Sequence, residues 1–129
     1  MSTRTAAIDL LPAPLSVPVA RHVVLPLLGS WNAAQDLDDA ALLVTELVAN
    51  VVDHVGGDAS FTLELSLSDE WLRVAVVDAS PAWPVVRELD LDSPRGRGLR
   101  MVEAIADRWG CEDHRGGKRV WFELRPTGL

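Results

Sequence analysis

Several common toolkits are missing from this chain. Cysteine is nearly absent: Cys111 stands alone, which excludes an internal disulfide framework and any multi-cysteine metal centre. A lone thiol of this kind is expected to be a small, buried or half-buried hydrophobe. Basic residues are in the minority, 12 Lys and Arg against 19 Asp and Glu for a net charge of −7. No basic stripe is offered to a phosphate backbone, which argues against a general nucleic-acid binder. No apolar run approaches the roughly 20 residues of a membrane span. The stretch Met1 to Ala7 lacks the apolar core of a signal peptide, so a cytoplasmic location is the expectation. Nothing resembles a Ser-His-Asp or Cys-His nucleophile set. The five Trp and two Phe are scattered without basic interleaving, and are expected in core and interface rather than in a base-stacking platform. His22 is expected to be structural and His114 exposed.

What is there describes one domain. With 129 residues, 48% of them apolar, the chain can bury a proper core. Residues 1–15, rich in Pro and Ala, read as a flexible arm with at most a short strand near Ile8 to Leu11. Residues 16–129 form the domain. Ser16 suits an N-cap and Pro18 a first helical turn, opening a helix to about Trp31 that Pro26 kinks or ends early. Asn32 to Asp36 is a loop. Asp36, Asp38 and Asp39 put negative charge where the next helix begins, and that helix ends at Gly56-Gly57. Phe61 to Leu67 alternates with period two as a half-buried strand. Ser68 to Glu70 turns it into Trp71 to Val77, more apolar and so more central. Between Ala79 and Arg95 no period survives, and a loop that long in a compact domain is usually functional or disordered. Gly98 to Arg108 is helical. Trp109 to His114 and Lys118 to Leu124 make a hairpin across Arg115-Gly116-Gly117. The expected fold is α+β: a two-layer sandwich, a mixed and mostly antiparallel sheet with about three helices on one face.

Three segments carry chemistry. On the second helix, at about 100° per residue, Glu46, Asn50, Asp53 and His54 fall within one arc. Leu37, Val44, Leu47, Val48, Val51 and Val55 fall opposite and face the sheet. Leu43 breaks the division. A plain solvated face carries Lys, Arg and Glu spaced for ion pairs, yet no Lys or Arg lies between Asp36 and Arg73. An Asn carbonyl is a hard oxygen ligand suited to Mg²⁺ held partly by phosphates. A Glu one turn earlier can orient or deprotonate a hydroxyl or water. Next, Asp78 ends an apolar strand. Such an Asp is commonly a turn residue, but a buried carboxylate also accepts hydrogen bonds from an exocyclic amine such as adenine's. Last, Gly96-Arg97-Gly98 opens a helix. Glycines there let backbone N–H groups approach phosphate oxygens, and Arg95 and Arg97 add charge. It is neither a Walker loop nor a Rossmann fingerprint.

In this order and spacing the three segments resemble the ATP-binding fold of gyrase-type ATPases, Hsp90 chaperones and histidine kinases, the Bergerat-type fold. The resemblance is nearest to its short branch, the bacterial anti-sigma factor serine/threonine kinases, and runs from about Arg21 to Arg125. Glu46-x-x-x-Asn50-x-x-x-His54 looks like the N-box. The resemblance implies that Asn50 coordinates Mg²⁺, that Glu46 is the general base, and that Asp53 lines the nucleotide site. Val77-Asp78-Ala79-Ser80 looks like the G1 box, with Asp78 on the adenine amino group and Ser80 beside it. Gly96-Arg97-Gly98-Leu99, preceded by Arg95, looks like the G2 box, and the loop before it like an ATP lid. Gly117-Lys118-x-Val120-Trp121 sits where the family closes its last strand. Two departures stand out. Ser80-Pro81 replaces a usual glycine after the Asp, and Lys118 replaces a usual threonine, offering charge to phosphate in its place.

The resemblance implies ATP and Mg²⁺ as cofactors, a sigma factor held off RNA polymerase, a phosphorylated antagonist protein, and a homodimer. The alternative is a nucleotide-binding or degenerate module that sequesters a partner without phosphoryl transfer, which the two departures favour. A ligand-free structural α+β domain is the third reading.

Overall fold

The computed structural model describes the backbone of residues 3–54, 59–78 and 94–127 and, apart from residues 54 and 94–99, their side chains. Strand β1 (Thr3–Leu10) leads into helix α1 (Ser16–Ser30), helix α2 (Leu37–His54), strands β2 (Phe61–Ser68) and β3 (Trp71–Asp78), helix α3 (Pro94–Ile105), and strands β4 (Arg108–His114) and β5 (Gly117–Leu124). The five strands form one sheet in the order β1-β2-β3-β5-β4, and every pairing is antiparallel.

The beginning of the chain corrects an expectation. In place of an arm with a short strand near Ile8, all of Thr3–Leu10 pairs with β2, from Thr3 opposite Ser68 to Leu10 opposite Phe61. Alternation in β1 is weak because its inward residues are Arg4, Ala6, Ile8 and Leu10, of which only Leu10 is buried. The pairing is supplied by β2, whose own alternation is strong.

The helices end by recognisable devices. Ser16, expected as a cap, is the first helical residue; the cap position is Leu15, without a side-chain bond. The Ser16 hydroxyl instead donates back to the Leu11 carbonyl at 2.5 Å. Pro26 lies inside α1 and does not end it, because Ala20, Val24 and Leu28 hold the helix to the core from the opposite side. Asn32 adopts a left-handed φ of 54°. Ala33 N–H bonds the Leu28 carbonyl and Asn32 N–H that of Gly29, a Schellman close. Asp36 caps α2, accepting from the N–H groups of Asp38 and Asp39 at 2.9 and 3.1 Å. Both hairpins with two-residue turns use left-handed backbone: Asp69 and Glu70 at φ 51° and 69°, Arg115 and Gly116 at 50° and 82°. Such turns match the strand twist.

The core lies between sheet and helices. Leu63, Leu65, Leu72, Val74, Val76, Val120 and Phe122 meet Val24 and Leu28 of α1, Val44, Leu47, Val48 and Val51 of α2, and Val102 of α3. Leu43, anomalous on the helical wheel, is fully buried. Helix α2 is the middle helix, packed by α1 and by α3, so its buried arc extends beyond the half that faces the sheet. Leu37, expected to face the sheet, starts the helix and is exposed. The opposite sheet face carries charge and indole. Arg73 stacks over Trp121 and Arg108 over Trp71, each 4.3 Å from the ring centroid, while Arg119 pairs with Glu64 and Glu112. Trp121 lies so close across Gly110 that a Cβ there would come within 2.9 Å of the ring.

Candidate functional site

Glu46 and Asn50 stand one turn apart on α2 and share a face, as the spacing requires. Asn50 is 4% exposed, and neither atom of its amide has a hydrogen-bond partner among the described residues. A buried polar group in that condition costs on the order of 1–3 kcal/mol unless a ligand satisfies it. Glu46 is half-buried, and burial pushes its carboxyl above the ordinary 4.5, because low-dielectric surroundings penalise the charged form. In its ionised form it is a stronger base than a solvated carboxylate. Asp53 is exposed at the far end of the same helix. The side chain of His54 lies outside the described residues.

Asp78 closes β3. Alternation along Leu72, Val74, Val76 and Asp78 places it on the helix-covered face, and it is 2% exposed. A carboxylate at the end of a buried strand is thus set in the layer between sheet and helices. Lys118 on β5 lies directly opposite it, and Asp113 on β4 lies opposite Lys118. Directly opposed residues of antiparallel strands share a face, so Asp78, Lys118 and Asp113 form one row across three strands. Lys118 pairs with Asp113, whose side chain is 84% exposed. Sequence reasoning singled out Lys118 for charge toward phosphate. It missed the cross-strand row, because β3 and β5 are distant in the chain and nothing local announces their pairing.

The third segment shifts. Helix α3 begins at Pro94, a residue suited to a first helical position. Gly96, Arg97, Gly98 and Leu99 therefore lie in the first turns of the helix rather than in a turn before Gly98. The first four N–H groups of any α-helix lack an internal partner. The side chains of Arg95, Arg97 and Leu99 lie outside the described residues, as do residues 80–93 of the lid expected from Ser80 to Arg95, whose last two residues, Pro94 and Arg95, belong to the helix. Helix α3, which carries this segment, packs against α2.

The described residues hold no group of three or more His, Cys, Asp or Glu arranged for a metal. A cation carried in by a ligand's phosphates needs few protein oxygens, and the unpartnered Asn50 amide could offer one. No helix among the described residues is long and apolar enough to cross a membrane. A groove of about 500 Å³ on the opposite sheet face, lined by Thr5, Ala7, Glu64, Ser66, Arg73 and Ala75 among others, contains none of the residues above. His22 is exposed on α1. His114 is half-buried, its Nε2 3.5 Å from an Arg119 nitrogen.

A family model described as Histidine kinase-like ATPase domain matches residues 11–124. An uncharacterized protein of Streptomyces coelicolor (SCO4941) is 35% identical over 88 residues, covering 66% of this chain and 82% of the relative. The solved RsbU and RsbW domains of Rv1364c from Mycobacterium tuberculosis align over 95% of this chain with a TM-score of 0.71 and 20% identity. The chain spans 32% of that structure, and at such identity the likeness speaks to the fold.

Proposed function

This chain belongs to the histidine kinase-like ATPase domain family, and from that premise we propose that it is a cytoplasmic ATP-binding anti-sigma factor and serine/threonine kinase. The observation that carries the reading is Asn50: a buried amide with both polar atoms unpartnered among the described residues, one turn from a half-buried carboxylate. Asn50 Oδ1 would hold Mg²⁺, which when bound would supply charge neutralisation to the phosphates. Asp78 would accept from the amino group of the base. The first turns of α3, with Arg95 and Arg97, would face the phosphates. Glu46 would take the proton of a partner's serine or threonine hydroxyl as its oxygen bonds the terminal phosphorus and the bond to ADP breaks. Its raised pKa makes it the better acceptor of that proton.

A thermal melt tests the site. ATP with Mg²⁺ at a hundredfold excess over Kd stabilises the native state by about 2.7 kcal/mol. The shift is expected with Mg²⁺ and lost with chelator. Absence of any shift at millimolar nucleotide rejects the pocket.

Partners belong to the same proposal: a sigma factor held by the domain and a small antagonist protein that receives the phosphoryl group. The homodimer is supported by α1, where Leu15, Val19 and Val23 are exposed at 73, 40 and 38% on one flank and Leu11 precedes them at 61%. An apolar stripe of this kind on an outer helix fits a covering partner. Leu15→Lys with Val19→Lys is expected to turn a dimer into a monomer by sedimentation, and a wild type that sediments as a monomer rejects the dimer.

The second reading, sequestration without phosphoryl transfer, is favoured by Ser80-Pro81 and Lys118 in place of the family's glycine and threonine. A phosphorylated antagonist that disappears with Glu46→Ala decides for the kinase.

A further inference from the structure

We propose that this site accepts guanine as well as adenine nucleotides, with Lys118 as the residue that decides it. The inference rests on the reading of Asp78 as the carboxylate that meets the base, and it starts from the strand register. Asp78 and Lys118 are directly opposed on β3 and β5. Their Cβ atoms are therefore about 4.5–5.5 Å apart on the same face of the sheet. Asp78 is 2% exposed and the Lys118 side chain 21%. A strong acceptor and a strong donor thus stand side by side in the layer between sheet and helices.

A carboxylate alone selects adenine. It accepts from the exocyclic N6 amine, whereas guanine places its O6 acceptor at the equivalent position and is repelled. An ammonium beside the carboxylate removes that repulsion. Guanine O6 accepts from Lys118 Nζ, while N1–H and the N2 amine both donate to Asp78, a two-point charge-assisted contact. Adenine still fits, with N6–H donating to Asp78 as it would without the ammonium. The neutral threonine that this position usually carries in the resembled family brings no comparable charge. Lys118 can turn toward a base at small cost. Its partner Asp113 is 84% exposed, and ion pairs with so exposed a member are worth little. An ammonium also carries three donors and can keep one on Asp113.

The test is calorimetric titration and thermal melting of the full chain with ATP and with GTP, each with Mg²⁺. The proteins are wild type, Lys118→Ala and Lys118→Met; Met keeps the packed stem and removes only the ammonium. The two nucleotides are expected to bind wild type within about tenfold of each other. Both variants are expected to lose at least about tenfold in GTP affinity and less than about threefold in ATP affinity, in keeping with discrimination by a buried hydrogen bond. ATP binding without GTP binding overturns the inference and leaves the nucleotide site standing. Equal losses of both nucleotides in the variants also overturn it. Silence toward both nucleotides in wild type rejects the nucleotide site itself, and the inference with it.

Discussion

Two buried amides stand at helix α2, Gln35 before it and Asn50 within it; both leave the side-chain oxygen unpartnered among the described residues, and they differ at the nitrogen. Gln35, 5% exposed just before the helix, gives its nitrogen to two backbone carbonyls: Glu70 at 2.6 Å and Leu124 at 3.0 Å. Glu70 stands in a left-handed turn that suits glycine far better. Leu124 ends β5. One side chain therefore clamps a strained hairpin and the last strand to the start of α2. Asn50, equally buried near the other end, has no such bond among the described residues. Burial alone does not separate a structural polar residue from a ligand-binding one. The disposition of its donors and acceptors does.

The contrast can be broken by substitution. Asn50→Leu is expected to weaken Mg-dependent ATP binding by about 100-fold or more, since the lost group is the proposed metal ligand, while the melting temperature without ligand stays level or rises. A lowered melting temperature with intact nucleotide affinity would make Asn50 structural. Gln35→Leu is expected to do the reverse. Leaving two carbonyls unpaired costs about 1–3 kcal/mol, read as a lower denaturation midpoint, with ATP affinity preserved in the folded protein. The double variant sharpens the point. The two amides are 15 positions apart along an element rising about 1.5 Å per residue, or roughly 20 Å, so their stability effects should add within about 0.5 kcal/mol.

The smallest effect concerns Glu46. Its native pKa lies above 4.5, so the native state binds the proton more tightly than the unfolded chain does. That contribution is present below about pH 4.5 and is lost as pH rises through the native pKa. Glu46→Gln should therefore be more stable than wild type at pH 7 and indistinguishable from it at pH 4. Equal stability at both pH values would refute the desolvated carboxylate.

Local patterns disclosed much of this. Both hairpins were legible because alternation is local and their turns carry Asp69-Glu70 and Arg115-Gly116. The Glu46–Asn50 face was legible because four-residue spacing on a helix translates directly into proximity. Strand β1 was not. Ala6 and Ala7 blur its alternation and Pro12 and Pro14 lend the segment the look of an arm, while its pairing is decided by β2. The start of α3 was displaced because Gly96 and Gly98, poor helix formers, suggested a turn where the backbone is already helical. The Asp78–Lys118 row was hidden for a topological reason. It exists because β5 enters between β3 and β4, and no neighbouring residue encodes that insertion.

That insertion sets an order of events in time. Lys118 follows Asp78 by 40 positions in the chain, which at about 5–20 residues per second of synthesis is roughly 2–8 s. Until β5 docks, β3 keeps an open edge, Gln35 lacks one of its two carbonyls, and Asp78 has no lysine across from it. In the proposed reading, the two halves of the base-reading pair are born seconds apart on the ribosome, and a nascent chain that stops before Lys118 holds Asp78 at the end of β3 without the strand that pairs with it.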